Sequence, residues 1–127
     1  MSEVNRIVIV GGGTAGWLTA GLLAATHSGA DNNGQRLSVT VIESDAELLG
    51  KAAESLDARL ICGNAMQLSS WREAHAQDME LIIATTNEDS TNMLSALIAD
   101  RFGIERKIVR ARSIDLVDGS ILSPEDL

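Results

Sequence analysis

The sequence has one cysteine, one proline and few cations, and each scarcity excludes a class of protein. With Cys62 as the only thiol there is no internal disulfide and no cysteine-based zinc site, so the chain relies on an apolar core. Cys62 itself stands in the apolar run "ARLICGNA" and is expected to be a buried small hydrophobe. Lys and Arg total 10 against 18 Asp and Glu, a formal charge of -8, which disfavours nucleic acid and anionic lipid as partners. A phosphate site on such a chain must be local and built of backbone amides. No apolar run approaches the roughly 20 residues of a membrane span, and "MSEVN" does not lead into a signal-type segment, so a cytoplasmic location is expected.

What is present is an alternation. Short apolar runs, at residues 6–10, 38–43, 59–62, 81–84 and 107–111, alternate with segments of helical period. That pattern predicts an α/β fold: a Rossmann-like, doubly wound parallel sheet in a three-layer α/β/α sandwich, forming a single domain of 127 residues in all. Helices are expected over 15–26, over "DAELLGKAAESL" with Leu48, Leu49, Ala52 and Leu56 on one face, over 68–74, and over "STNMLSALIADRF" with Met93, Leu94, Leu97 and Ile98 on one face. "HSGADNNGQR", including residues 31–34, reads as an exposed loop, and residues 114–127, with the only proline at Pro124, read as an extension beyond a domain of residues 1–113.

The first strand runs into "GGGTAG", in which Gly11, Gly13 and Gly16 have the G-x-G-x-x-G spacing. Gly11 permits a sharp exit from the strand, Gly13 lets a pyrophosphate approach the backbone, and Gly16 lets the helix lie close to the sheet. The amides of Thr14 and Ala15 then face the anion at a helix N-terminus, so no lysine is required. Glu43, ending the second strand in "VTVIES", is placed to accept both hydroxyls of an adenosine ribose. Its spacing from the turn exceeds the usual value of about 20 residues, an excess assigned to the loop at 31–34. Its charge, with no cation at Ser44 or Asp45, disfavours a 2'-phosphate, so NAD, FAD or ADP-type ligands fit better than NADP.

Two resemblances follow from these residues. "RIVIVGGGTAGWLTAGLLA", continuing to "VTVIES", looks like the FAD-binding amino terminus of flavin-dependent tryptophan halogenases. From Asp45 onward, "DARLICGNAMQLSSWREAHAQDMELIIATTNEDSTNMLSALIADRFGIERKIVRARS" resembles the amino-terminal nucleotide-binding (RCK or KTN) domain of TrkA-type potassium-transport regulators. Together they suggest a hybrid of two Rossmann-type chains joined near Ser44 and Asp45, without a physiological role of its own; an FAD- or NAD-binding oxidoreductase fragment is a further alternative.

The regulator resemblance implies a non-catalytic domain that binds NAD(H) or ADP/ATP, forms a homodimer and acts on a membrane potassium transporter subunit. It implies that Gly11, Gly13 and Gly16 hold the diphosphate and Glu43 the ribose. Asn64 and Ala65 of "GNA" would border the adenine, Asn64 having a helix N-cap as its alternative role. Thr85, Thr86 and Asn87, with Asp89 and Asn92, lie where hydroxyls and helix amides would reach the second half of a nucleotide; Asp89 is expected to cap its helix. Arg110 aligns with a strand-end arginine that pairs with phosphate, or else forms a surface ion pair. ATP-responsive members place a basic residue in the glycine turn, where this chain has Thr14 and Ala15. Trp17 and Trp71 are expected in packing, and His27, His75, Ser69 and Ser70 compose no catalytic or metal-binding pattern.

Overall fold

A computed structural model describes residues 6–11, 13, 38–55 and 58–112. Five strands, β1 (Arg6–Val10), β2 (Ser38–Glu43), β3 (Arg59–Cys62), β4 (Leu81–Ala84) and β5 (Arg106–Val109), form one sheet in the order β3-β2-β1-β4-β5. Every pairing is parallel, and β1 is in register with Val39 to Ile42 of β2 and with Leu81 to Ala84 of β4. Three α-helices, α1 (Ala46–Ser55), α2 (Leu68–Glu73) and α3 (Asp89–Arg101), and a 3-10 turn at Ala76–Asp78 complete the described part. The fold is Rossmann-like, with the strand order reversing between β1 and β4.

Ile7 to Val10 of β1 are buried on both sides because helices cover both faces of a parallel sheet. Val8, Val10, Ile42, Ile82 and Ala84 face one layer with Trp71, Ala74, Ala99 and Ile104. Ile7, Ile9, Val39, Val41 and Ile83 face the other, where Leu49 of α1 packs against them. Each fully buried Ile or Val contributes about 1.5–3 kcal/mol relative to exposure.

Three expectations from the sequence are corrected. The inward face of α3 is Asn92, Met93, Ser95, Ala96 and Ala99, while Leu94 and Leu97 point outward at 46% and 44% exposure. The helix lies close to the sheet, so small residues fill the contact, and Ser95 satisfies its hydroxyl by donating to the Thr91 carbonyl at 2.7 Å. Cys62 is exposed, a free thiol whose Sγ donates to the Ser44 carbonyl at 3.9 Å, because β3 is an edge strand whose alternation sends Ile61 inward and Cys62 outward. The expected strand at 107–111 begins one residue earlier and ends at Val109.

The helix expected over 15–26, the loop at 31–34, Trp17, His27, the side chains of Ala52 and Leu56, and the extension at 114–127 lie outside the described residues. Among those described, no helix is long and apolar enough to cross a membrane.

Candidate functional site

The carboxyl ends of β1, β2, β3 and β4 and the exit of β5 open on one cleft of about 980 Å³ at the point where strand order reverses. This is the position at which open parallel α/β sheets bind ligands, because connections leave β1 and β4 in opposite directions and part there. Gly11, Gly13, Glu43, Asn64, Ala65, Thr85, Thr86, Asn87 and Arg110 all lie on its wall. Thr14, Ala15 and Gly16 lie outside the described residues.

The floor is built by β1. Gly11 leaves the strand at φ +109°, donates its amide to the Ile42 carbonyl at 2.9 Å, and lies so close to the β4 exit that a Cβ would meet Thr86 N at 3.1 Å. Only glycine combines that backbone angle with that approach. Gly13 differs: among the described residues an added Cβ would meet nothing within 4 Å.

On the β2 side the Glu43 carboxylate accepts the Asp45 amide at 2.8 Å, which holds it at the strand end. Asp45 in turn accepts the Glu47 amide at 2.9 Å and so caps α1, with Glu47 adding negative charge to the first turn. Asn64 lines the cleft and is not the N-cap of α2. Its Oδ1 accepts the Met66 amide at 2.8 Å, an Asx turn leading toward α2, whose N-cap position is Gln67. Asn64 remains exposed on the wall, and Ala65 beside it is 7% exposed, its carbonyl accepting Trp71 Nε1–H at 2.7 Å.

On the β4 and β5 side, three expectations change. Thr86 turns its hydroxyl inward, donating to Asn92 Oδ1 at 2.6 Å. Asn92 is fully buried and does not line the cleft. Asp89 does not cap α3, whose N-cap position is Glu88; its two carboxylate oxygens accept the Arg112 amide at 3.0 and 2.9 Å. The Arg112 guanidinium donates to the Asn87 carbonyl, so the chain leaving β5 is tied to the loop after β4. Arg110 lines the cleft, and among the described residues its guanidinium has no carboxylate within ion-pair distance; Lys107 with Asp100, at 3.0 Å, is the ion pair they contain.

Thr85 carries a buried Oγ1 with no hydrogen-bond partner among the described residues. A buried hydroxyl left unmade costs about 1–3 kcal/mol, and valine has the same branched shape without it. Thr85→Val is therefore expected to raise the free energy of unfolding by about 1 kcal/mol, read from the midpoint of a urea titration at unchanged slope.

Several wall residues escaped the sequence reading: Asp45, Leu48, Gly63, Met66, Glu88 and Thr91. Gly63 carried a legible signal in "GNA", since a Cβ there would fall 2.5 Å from Ser70 Oγ of α2. Leu48, expected on the same helix face as Leu49, is half-buried on the cleft wall.

Parallel sheet, strand reversal and a cleft floored by a glycine turn with a carboxylate at the next strand end define a Rossmann-type domain of the dinucleotide-binding class. The TrkA-N domain family matches residues 7–119, and the chain belongs to that family. The match runs without a break through Ser44 and Asp45, so one family accounts for both stretches that the sequence set apart. A Trk system potassium uptake protein TrkA homolog from Methanothermobacter thermautotrophicus is 34% identical over 109 residues, covering 86% of this chain and 46% of the relative. The Trk system potassium uptake protein TrkA of Vibrio alginolyticus is 34% identical over 122 residues, 93% of this chain and 24% of that one. The chain thus spans less than half the length of these relatives. Among solved structures, a short-chain dehydrogenase/reductase (wide type) from Veillonella parvula in complex with NADP matches with a TM-score of 0.59 at 16% identity, covering 83% of this chain and 46% of that one, a likeness of fold.

Proposed function

We propose that this chain is a non-catalytic regulatory domain that binds NAD(H) or ADP/ATP in the cleft and acts, on the cytoplasmic side, on a membrane potassium transporter. The observation that carries the reading is the juxtaposition of the Gly11–Gly13 turn with Glu43 and Arg110 around one cleft at the strand reversal. The glycine turn offers amides and open space to a diphosphate, Glu43 offers oxygens to a ribose, and Arg110 offers a cation that pairs with no carboxylate among the described residues. The transporter role rests on the names of the relatives, potassium uptake proteins in which such a domain is one part. Regulation requires that nucleotide bind two conformations of the assembly unequally. The outward face of α3, with Leu94 and Leu97 exposed, is where a second copy would pack in a homodimer.

The test is calorimetric titration of nucleotide-stripped protein with NADH, NADPH, ADP, ATP and FAD. NADH or ADP is expected to bind, and NADPH to bind more weakly than NADH because its 2'-phosphate would meet Glu43. Glu43→Ala is expected to weaken NADH by about tenfold, the worth of about one hydrogen bond to a charged acceptor, and to narrow the gap to NADPH. Equal affinity for NADH and NADPH in the unmodified chain would remove Glu43 from the ribose site, and a protein that binds none of the five would end the nucleotide reading.

A further inference from the structure

Asn92 stands in the first turn of α3, is fully buried, and uses its amide completely. Its Nδ2 donates to the carbonyls of Thr86 at 3.0 Å and Arg110 at 2.9 Å; its Oδ1 accepts the Thr86 amide at 2.8 Å and the Thr86 hydroxyl at 2.6 Å. Two carbonyls on one side and two donors on the other fix which end of the amide is nitrogen. A buried amide is costly unless all its groups are paired, so a residue in this position is either fully satisfied or absent.

The partners give the arrangement its meaning. The β4–β5 ladder closes where Arg110 N donates to the Ala84 carbonyl at 2.9 Å. Beyond that point nothing in the ladder sets the distance between the two strand exits, and Asn92 bridges them instead. Thr86, which it grips by three bonds, is also the residue against which Gly11 packs, at 3.1 Å from the glycine's missing Cβ to Thr86 N. The glycine turn, the β4 exit and the β5 exit with Arg110 are therefore linked by one buried side chain that does not itself line the cleft but bonds to two residues that do, while the Arg112 bonds to Asn87 and Asp89 tie the chain further out.

We infer that Asn92 is the positioning residue of the nucleotide site: it holds Arg110 at a fixed distance from the glycine turn, so that turn and guanidinium engage one diphosphate together. This rests on the nucleotide reading above. The alternative is that Asn92 supports the fold and has no particular influence on the site.

The experiment is a double-mutant cycle read by calorimetry with NADH and ADP on the full chain. Asn92→Asp keeps the size and both acceptor bonds but sets a carboxylate oxygen against two carbonyls; Asn92→Ser removes the bridge with a smaller, neutral side chain. In either variant that melts above the assay temperature, affinity is expected to fall about tenfold with Arg110 present and less than about twofold in the Arg110→Ala background, because Asn92 acts through Arg110. A purely structural role would give the same loss in both backgrounds, and that result, or unchanged affinity in both variants, overturns the inference. Should neither variant fold, the unmodified chain decides: the Asn92 side-chain amide resonances are expected to exchange slowly and to shift on saturation with NADH, and resonances indifferent to NADH overturn it. Absence of NADH and ADP binding by the unmodified chain instead overturns the nucleotide reading on which this rests.

Discussion

Gly13→Val is expected to abolish nucleotide binding and leave the fold intact. Among the described residues the Cβ of residue 13 would meet nothing within 4 Å, and its backbone is outside the left-handed region, so a side chain can start there without strain. The space it would fill lies on the cleft wall, where the fingerprint places a pyrophosphate against the backbone. The loss of affinity for NADH or ADP should be about 100-fold or more, while the unfolding free energy stays within about 0.5 kcal/mol. Gly11→Ala supplies the contrast. At φ +109°, its Cβ would come within 3.1 to 3.2 Å of Thr86 N and Thr85 C, backbone atoms that no rotamer can move. That substitution should cost on the order of 1–3 kcal/mol of stability before any ligand is added. Calorimetry and a thermal melt on the two proteins separate a glycine required by the ligand from one required by the chain. If Gly13→Val binds NADH normally, the diphosphate does not sit on this turn.

The same distinction explains how much was legible in the sequence. Strands β1 to β4 were read with their observed limits because a strand buried on both faces is a continuous apolar run bounded by polar residues, a signal that does not depend on neighbours. Gly11, Gly13, Glu43, Asn64, Thr85 and Arg110 converge because a doubly wound sheet brings the carboxyl ends of its strands to one edge; strand order then locates the cleft without knowledge of any side-chain contact.

The inward and outward faces of α3 were not legible. Hydrophobicity assigns Leu94 and Leu97 to the core, but a helix lying close to a sheet selects for volume, and Ser95, Ala96 and Ala99 win the contact. The hydrogen bonds of Asn92 and of the Thr86 hydroxyl were not legible for a related reason. A polar residue near a strand end invites a ligand role, yet these two spend their polar atoms on each other and on backbone that the ladder no longer pairs. Periodicity reports which residues are apolar; it does not report which carbonyls a fold has left unmatched. Cys62 shows the converse, an apolar residue at the end of a run that becomes exposed because its strand is at the sheet edge.

Trp71→Ala is expected to be the most destabilising single substitution considered, costing about 3–5 kcal/mol. The indole is fully buried between α2 and the sheet, stacks on Phe102 with ring centroids 6.2 Å apart and planes 13° from parallel, and donates Nε1–H to the Ala65 carbonyl at 2.7 Å. Removing it leaves a cavity in the core cluster that includes Ile61, Ala74, Ile82 and Ala99, and the Ala65 carbonyl without its donor. A domain of this size has about 5–15 kcal/mol of stability in total, so the variant should unfold at a much lower urea concentration. Trp71→Phe separates the two contributions, since it retains ring packing against Phe102 and loses the hydrogen bond; its cost should be about 1–2 kcal/mol. The comparison reaches the site as well. The Ala65 carbonyl that Trp71 holds belongs to the "GNA" turn on the cleft wall, so in a folded Trp71→Phe protein the affinity for NADH should fall by a few-fold, whereas unchanged affinity would show that this wall is held by the Asn64–Met66 turn alone.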